Sequence, residues 1–169
     1  MVKENLYQPN CIRTFSGKYV NILEPHPDMF CISDIAHALS NQCRFGGHLP
    51  QFYSVAQHSW LCTQLISDKN KYNALMHDSS EAYLLDIPTP LKSLLTNYKE
   101  IEDRLMKVLA EKFQFEYPLN DEVKSIDKIV LELEWNQLML QKDKIKYFSC
   151  FSQGYANTAF MNQYYQLRK

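Results

Sequence analysis

The feature that most constrains the fold is an apolar run that contains several ionisable side chains. Residues 74–92, ALMHDSSEAYLLDIPTPLK, place His77 and Asp78 side by side, with Glu81 three positions later. Burying such groups without polar partners is costly. The fold must therefore either expose this segment or provide something, such as a metal ion, that compensates for its burial.

Length and composition indicate the class of protein. The 169 residues suit one domain over residues 1–169, and the apolar and charged fractions, 46% and 22%, are those of a globular protein. A formal net charge of −1 gives no field that would favour a nucleic-acid polymer as partner. Five cysteines without a CxxC pair favour a reducing compartment. With no apparent signal peptide or bilayer-spanning run, we expect a cytoplasmic protein without a membrane partner.

The hydrophobic pattern predicts a mostly helical domain. Residues 11–24 have the pattern of a short hairpin that turns at Ser16-Gly17. Apolar periodicity predicts helices over residues 34–43, 55–67, 71–85, 91–95, 97–113, 121–142 and 154–169. Ser33 and Ser54 are the expected N-caps of the first two. The fold class is therefore all-α with a short N-terminal β-hairpin, and not a βαβ series.

Four ionisable residues fall on helical faces that are otherwise apolar: His58, His77, Asp78 and Asp127. Taken one at a time, such a histidine is more often hydrogen-bonded in a core and such an aspartate is often a helix cap. Two imidazoles and two carboxylates that converge on one divalent cation would instead explain all four positions together.

The chain order His, His-Asp, Asp resembles that of the HD-domain metal-dependent phosphohydrolases. The segments FYSVAQHS (52–59), DIAHALSNQCRFGGH (34–48) and 74–92 are similar to small phage and bacterial members. These members include phage dATP triphosphohydrolases and, more distantly, bacterial 5'-deoxynucleotidases. The resemblance extends over residues 13–92, and beyond them it depends on Asp127. It implies an HD-domain helical bundle around a central metal ion.

The resemblance also implies the ligands of a divalent metal ion, which could be Zn, Mn, Co or Mg. These ligands would be His58, His77, Asp78 and Asp127. Few neighbouring residues support the alignment of Asp127, so Asp121, Asp103 and Glu134 are alternatives. Glu134 lies two turns after Asp127 and is also a candidate for a buried network partner.

Two acids are candidates for catalysis. Glu81 belongs to the HDxxE turn of the family and would position water or relay a proton, unless it is simply a solvated helix acid. Asp86 stands where two prolines end the helix, and the matching acid of related nucleotidases lies near the catalytic centre. Its alternative role is that of a turn or capping residue.

Four further residues are candidates for binding the substrate. Arg44 precedes two glycines and would contact phosphate, unless it caps the preceding helix. Lys92 is a second phosphate candidate. Phe45 would stack on a base or sugar, or else pack in the core, and His48 would contact the ligand or the loop backbone.

The resemblance implies an enzyme that acts on nucleotides. We expect a dATP-type triphosphohydrolase that forms deoxynucleoside and triphosphate, for which Arg13 and Lys18 are further possible cations. The alternatives are a 5'-deoxynucleotidase, a nucleotide-binding sensor without turnover, and a helical bundle in which the motif is incidental. The family also implies a homo-oligomer, in the host cytoplasm if the protein is phage-encoded.

Overall fold

The computed structural model describes residues 8–141 and 147–168, which form a helical bundle with a small hairpin. The strands are β1 (Cys11–Arg13) and β2 (Tyr19–Asn21). The α-helices of this part of the chain are α1 (Ile32–Asn41), α2 (Val55–Leu65), α3 (Lys71–Met76), α4 (Glu81–Leu84), α5 (Thr89–Lys92), α6 (Tyr98–Phe113), α7 (Asp121–Glu134) and α8 (Gln153–Leu167). None of them is long and apolar enough to cross a membrane. The prediction of a mainly helical fold with an N-terminal hairpin is confirmed.

The hairpin is fastened to the first helix by one aspartate. The strands pair antiparallel with Ile12 opposite Val20, whose side chain is buried. Asp34 of α1 accepts hydrogen bonds from the backbone N–H (2.8 Å) and the hydroxyl (2.7 Å) of Ser16 in the turn. The predicted cap at Ser33 is wrong, because α1 already begins at Ile32 and Ser33 lies in its first turn.

Helix α2 is the centre of the bundle. It packs against α1, α3, α7 and α8. The predicted cap is confirmed, since the hydroxyl of Ser54 accepts a hydrogen bond from the N–H of Gln57 at 3.2 Å. Its buried residues lie on every side of the helix: Val55, Ala56, Gln57, His58, Ser59, Leu61, Cys62 and Thr63. A polar side chain of α2 such as His58 must consequently find its partners inside the protein.

Two apolar clusters meet at helix α3. The larger one joins residues of α1, α2, α3, α4, α6 and α8, and the smaller one joins residues of α2, α3 and α7. Leu75 and Met76 belong to the larger cluster, whereas Ala74 belongs to the smaller. Each fully buried Leu or Met contributes about 1.5–3 kcal/mol. This double burial fixes the end of α3, and with it the next residue, His77.

The continuous helix predicted over residues 71–85 is wrong, since α3 ends at Met76 and α4 begins at Glu81. In the turn between them, backbone hydrogen bonds span three residues instead of the four of an α-helix. The N–H of Ser79 donates to the carbonyl of Met76 (3.1 Å), and the N–H of Glu81 donates to the carbonyl of Asp78 (2.9 Å). The hydroxyl of Ser79 also donates to the Met76 carbonyl. A serine that bonds to a nearby carbonyl competes with the regular helix ladder, and here it accompanies the break.

The remaining helices agree with the predicted ones apart from their ends. Helix α5 starts at Thr89, two residues before the expected start, with Pro90 in its first turn, where a missing N–H is tolerated. Helix α7 continues into a π-helical turn, Trp135–Met139. The predicted end of this helix at residue 142 lies outside the described residues, as does the C-terminal residue 169.

Candidate metal centre

Four side chains converge where α2, the turn after α3 and α7 meet. Nε2 of His58 lies 3.3 Å from Nε2 of His77 and 3.1 Å from Oδ1 of Asp127. Nε2 of His77 lies 3.2 Å from Oδ2 of Asp78. The His58–Asp78 and His77–Asp127 separations are both 3.7 Å. The structure thus brings together all four of the predicted ligands.

These separations suit a shared cation. Neighbouring ligand atoms about 2.0–2.2 Å from one metal ion lie roughly 2.8–3.6 Å apart, the shorter values in octahedral and the longer in tetrahedral arrangements. The three shortest separations, 3.1–3.3 Å, fall in this range. Imidazole and carboxylate together suit Zn, Mn, Co and other divalent ions. The residues present therefore fit a divalent metal ion.

The second nitrogen of each imidazole is held by a hydrogen-bond acceptor. Nδ1 of His77 lies 2.7 Å from the Ala74 carbonyl, and Nδ1 of His58 lies 2.6 Å from Oε1 of Glu134. A carbonyl accepts only, so Nδ1 of His77 carries the proton and the neutral ring directs the Nε2 lone pair toward the centre. Such outer partners orient metal-binding histidines.

Glu134 is a hydrogen-bond partner of a candidate ligand and is not itself one of the converging side chains. It is fully buried and accepts hydrogen bonds from Tyr53 (2.8 Å), from Nε of Arg44 (3.1 Å) and from His58. Burial raises the pKa of Glu134, but His58 and Arg44 outweigh it and hold the pKa below its ordinary value. This agrees with the alternative role predicted for it, that of a buried network partner.

The other two alternatives to Asp127 have partners elsewhere. Asp103 of α6 accepts a hydrogen bond from Tyr117 at 2.9 Å and pairs with Lys107. Asp121 is exposed at the start of α7 and lies 3.5 Å from Lys124. Asp127 is therefore the acid of this group that lies beside the histidines.

Electrostatics favour a cation at the centre. Burial lowers the pKa of both histidines, yet the pKa of His77 is raised well above its usual value by Asp78 and Asp127. The pKa of His58 is also raised, by Cys62, Glu134 and Asp127, against burial and Arg44. The carboxylates beside the two imidazoles therefore favour positive charge at this point of the structure. A bound divalent cation would supply that charge to neutral imidazoles.

Cys62 also lies near the centre, although it is not among the predicted ligands. Its Sγ lies 3.7 Å from Nε2 of His58, one helical turn earlier on α2. His58, Cys62 and His77 form a buried group that could hold a metal ion. The four-residue spacing from His58 was the available signal, because residues at this spacing share a helix face.

A cavity of about 810 Å³ opens beside the metal centre. This volume lies within the range of small-molecule binding sites. Charged and polar residues line one part of the cavity: Arg44, His48, Asp78, Glu81, Asp86, Thr89, Lys92, Asp127, Glu132 and Asn136. Apolar residues line the rest: Phe45, Ile87, Pro88, Pro90, Leu131, Trp135 and Met139. Every predicted catalytic and substrate-binding residue lines this one cavity.

Arg44 is a buried cation among carboxylates. Its Nε bonds to Glu134, and its NH1 lies 3.7 Å from Asp78 and 3.8 Å from Asp86. Burial lowers the pKa of Arg44, but these acids raise it overall. Arg44 follows α1, which ends at Asn41, and its side chain does not cap that helix but reaches into the cavity.

Glu81 and Asp86 are positioned by one glutamine. The amide nitrogen of Gln42 donates to the Glu81 carbonyl (2.9 Å), and its oxygen accepts from the N–H of Asp86 (3.2 Å). Oε2 of Glu81 is buried without a hydrogen-bond partner among the described residues. Burial raises the pKa of Glu81 well above its ordinary value, and Asp78 and Asp86 add to this. Glu81 is therefore not the solvated helix acid of the alternative interpretation.

The turn after Arg44 has left-handed backbone conformations. Phe45, Gly46 and Gly47 have φ values of 55°, 60° and 79°. Such values are uncommon for a residue with a side chain, and they place the Phe45 ring on the cavity. The ring lies 6.0 Å from that of Trp135, which is 45% exposed. These two aromatic rings form one wall of the cavity.

The other cationic side chains proposed to bind phosphate are less available to a substrate than expected. Lys92 lines the cavity but donates to Glu102 at 2.6 Å and lies over the ring of Tyr98. Lys18 donates to the Asp28 carbonyl, and Arg13 belongs to β1. The suggested use of these last two residues at the site is therefore not supported by their positions.

The chain is similar to two bacterial proteins. The uncharacterized protein YfdR of Escherichia coli K12 is 47% identical over 129 residues, which cover 76% of this chain and 72% of YfdR. The uncharacterized protein RCAP_rcc00048 of Rhodobacter capsulatus is 32% identical over 140 residues, or 75% of this chain and 71% of that protein. No protein-family model matches the chain. At this identity and coverage, the chain belongs to the same family as YfdR.

Proposed function

We propose that the protein is a metal-dependent phosphohydrolase of the HD-domain type that acts on nucleotides. The observation that carries this proposal is the convergence of two imidazoles and two carboxylates beside a cavity that also contains a buried acid and a guanidinium. These groups belong to His58, His77, Asp78, Asp127, Glu81 and Arg44.

The four converging side chains would hold the metal ion. When bound, a divalent ion supplies a Lewis acid for a phosphate oxygen and lowers the pKa of its water. Asp78 and Asp127 line the cavity, whereas His58 is fully buried. A substrate in the cavity therefore lies on the carboxylate side of the centre, and the histidines remain out of its way.

Hydrolysis joins a water oxygen to phosphorus and breaks the phosphorus–oxygen bond to the nucleoside, which leaves as an alcohol. Glu81 is suited to accept the proton from water and return it to the leaving oxygen. Burial raises the pKa of its carboxyl group well above the ordinary value, which makes the carboxylate a stronger base. Its Oε2 has no hydrogen-bond partner among the described residues and is available to take the proton. General acid–base catalysis of this kind contributes about 10²–10⁴-fold to a rate.

Arg44 is suited to bind phosphate. Glu134 fixes the guanidinium through Nε, while NH1 lies too far from Asp78 and Asp86 for short hydrogen bonds. The N–H groups of NH1 can therefore donate to phosphate oxygens in the cavity. Phe45 and Trp135 provide apolar rings on which a flat base can stack.

Within this class, a dATP-type triphosphohydrolase is the leading candidate, because the RFGGH stretch and the N-terminal hairpin are similar to the phage dATP enzymes. Its products would be deoxyadenosine and triphosphate. The second candidate is a 5'-deoxynucleotidase. One observation favours it: Arg44 and Lys92 both lie near carboxylates already, which leaves less positive charge for a triphosphate.

A product assay tests the proposal. The protein is incubated with dATP and, in parallel, with dAMP, each with Mn, Co, Zn or Mg, and the products are separated by chromatography. Deoxyadenosine and triphosphate from dATP would support the leading candidate, and phosphate from dAMP alone would support the second. A metal-loaded protein that cuts neither would contradict the proposal and favour a sensor that binds without turnover. Absence of both metal and product would favour an incidental motif.

A further inference from the structure

We propose that Cys62 is a fifth protein ligand of the metal centre, so that the centre selects thiophilic divalent cations such as Zn²⁺, Co²⁺ and Cd²⁺ over Mg²⁺. This inference rests on the metal centre of the proposed function. It adds a soft donor to the two imidazoles and two carboxylates and thereby narrows the class of metal.

The position of the thiol is the first support. Cys62 is fully buried on α2, four residues after His58, on the same face of the helix. Its Sγ lies 3.7 Å from Nε2 of His58, which in turn lies 3.3 Å from Nε2 of His77. The three donor atoms all lie within 4.8 Å of one another.

The distances are the second support. With metal–nitrogen bonds of about 2.0–2.1 Å and metal–sulfur bonds of about 2.3 Å, neighbouring ligands of a five-coordinate ion, at angles of about 90–120°, have N···N separations of about 2.8–3.6 Å and N···S separations of about 3.0–3.8 Å. The observed values are 3.3 Å and 3.7 Å.

The competing explanation is a packing role, since buried cysteines are common in cores. Cys62 does belong to an apolar cluster, together with Ala74 and Val123. Packing accounts for its burial, and a hydrogen bond to Nε2 of His58, one helical turn away, would account for the 3.7 Å approach of Sγ. Both roles agree with the position of the residue, and the identity of the metal-bound atoms separates them.

The chemistry of binding is simple. The S–H bond of Cys62 breaks, its proton leaves to solvent, and the sulfur forms a bond to the cation. Thiolate and imidazole donors favour Zn²⁺, Co²⁺ and Cd²⁺, whereas Mg²⁺ prefers oxygen. Asp78 and Asp127 line the cavity, whereas Cys62 is buried and does not, so the sulfur would bind from the side away from the substrate. Five protein ligands would leave one position of a six-coordinate ion for water or a phosphate oxygen.

The test is a titration of the full chain with Co²⁺, followed by absorption spectroscopy. Sulfur–cobalt bonding gives a charge-transfer band that nitrogen and oxygen ligands lack. We expect this band in the wild type and in the matched control Cys11→Ser, which alters a cysteine of β1. Cys62→Ser should lose the band and keep the weaker ligand-field bands. Its affinity for Zn²⁺ should fall by about tenfold or more, with that for Mn²⁺ little changed.

Two results would overturn the inference. Wild-type protein that binds Co²⁺ without the charge-transfer band has no sulfur ligand, even if Cys62→Ser fails to fold. A band that persists in a folded Cys62→Ser protein belongs to another cysteine. Neither result affects the proposed function, which the nucleotide assay tests separately. Protein that hydrolyses no nucleotide but shows the cysteine-dependent band would contradict the function and support the sulfur ligand.

Discussion

The two sides of the candidate metal centre differ in how completely their polar groups are paired. On the histidine side, formed by His58, His77 and Glu134, the outer nitrogens meet Glu134 and a backbone carbonyl at 2.6 and 2.7 Å. On the cavity side, formed by Asp78, Glu81 and Asp86, the nearest guanidinium contacts are 3.7–3.8 Å and one oxygen has no described partner. Paired buried groups fix a geometry, whereas incompletely paired ones are where a ligand completes the structure.

The largest expected effect comes from removing one of the candidate metal ligands, because a bound ion would connect the two sides. His77→Ala and Asp78→Ala should each lose the bound metal ion and about 10³-fold or more in hydrolysis, because a bound cation supplies several kcal/mol of stabilisation to the transition state. Metal content by mass spectrometry and the rate of nucleotide hydrolysis measure this. His37→Ala is the control, since His37 lies on α1 and stacks on Phe15. Full metal content in His77→Ala would remove His77 from the centre.

The next effect isolates the cavity side. Glu81→Gln should retain the metal and lose about 10²–10⁴-fold in kcat. Burial, Asp78 and Asp86 raise the pKa of Glu81 above its ordinary 4.5, so the ionised base is populated only at higher pH. The wild-type rate should therefore rise with pH through this raised pKa, and the variant should lack that limb.

The control for Glu81 is Glu111→Gln, which alters an exposed acid of α6. It should keep both the rate and the pH dependence of the wild type. An unchanged rate in metal-loaded Glu81→Gln would exclude Glu81 from the reaction and leave its unpartnered oxygen without a catalytic role.

The third expected effect is a loss of stability when the histidine side is altered at Glu134. Glu134→Gln leaves the buried guanidinium of Arg44 without its hydrogen-bonded counter-ion, and loss of one buried partner costs about 3–5 kcal/mol. Metal affinity should also fall by about 10–100-fold, because Glu134 orients His58. Chemical denaturation and metal titration measure the two losses, again with Glu111→Gln as control.

The pH dependence of this loss follows from the direction of the shift. The folded pKa of Glu134 lies below its ordinary 4.5. Its contribution to the free energy of unfolding is therefore complete above pH 4.5 and is lost as pH falls through the lower, folded pKa. The free energies of unfolding of the wild type and Glu134→Gln should differ most above pH 4.5, and the difference should shrink at acid pH. An equal difference at all pH values would mean that the charge of Glu134 is not what stabilises the fold.

Short-range patterns predicted the parts of the fold that depend on them. Turn residues predicted the hairpin at Ser16-Gly17, and a capping residue predicted the start of α2 at Ser54. Apolar periodicity predicted the helix that ends at Phe113. Apolar periodicity placed the four ligand candidates on buried faces of predicted helices, and buried faces of a bundle meet at its centre. Their convergence was thus predictable, whereas their binding of a metal stays a prediction.

The errors come from side-chain bonds that local patterns do not encode. The helix predicted over residues 71–85 is broken where the hydroxyl of Ser79 donates to the Met76 carbonyl. Serine occurs both within helices and at such breaks, so the residue type did not predict the break. The bond between Arg44 and Glu134 joins residues 90 positions apart, so spacing alone offered two roles for Glu134. Cys62 continues an apolar face of α2, and this pattern is the same whether the thiol packs in the core or binds a metal ion.

The smallest expected effect concerns Lys92, a predicted phosphate contact that the structure pairs with Glu102. Phosphate must replace this partner, and partly exposed ion pairs contribute only about 0–1 kcal/mol. Lys92→Met should therefore raise KM by less than about tenfold and leave kcat unchanged. Glu102→Gln should lower KM, because it frees the ammonium group. Lys107→Met, which breaks a similar 2.6 Å pair with Asp103 on α6, is the control and should change neither constant. A larger loss with dATP than with dAMP would show that Lys92 contacts the outer phosphates, and this would favour the triphosphohydrolase over the nucleotidase.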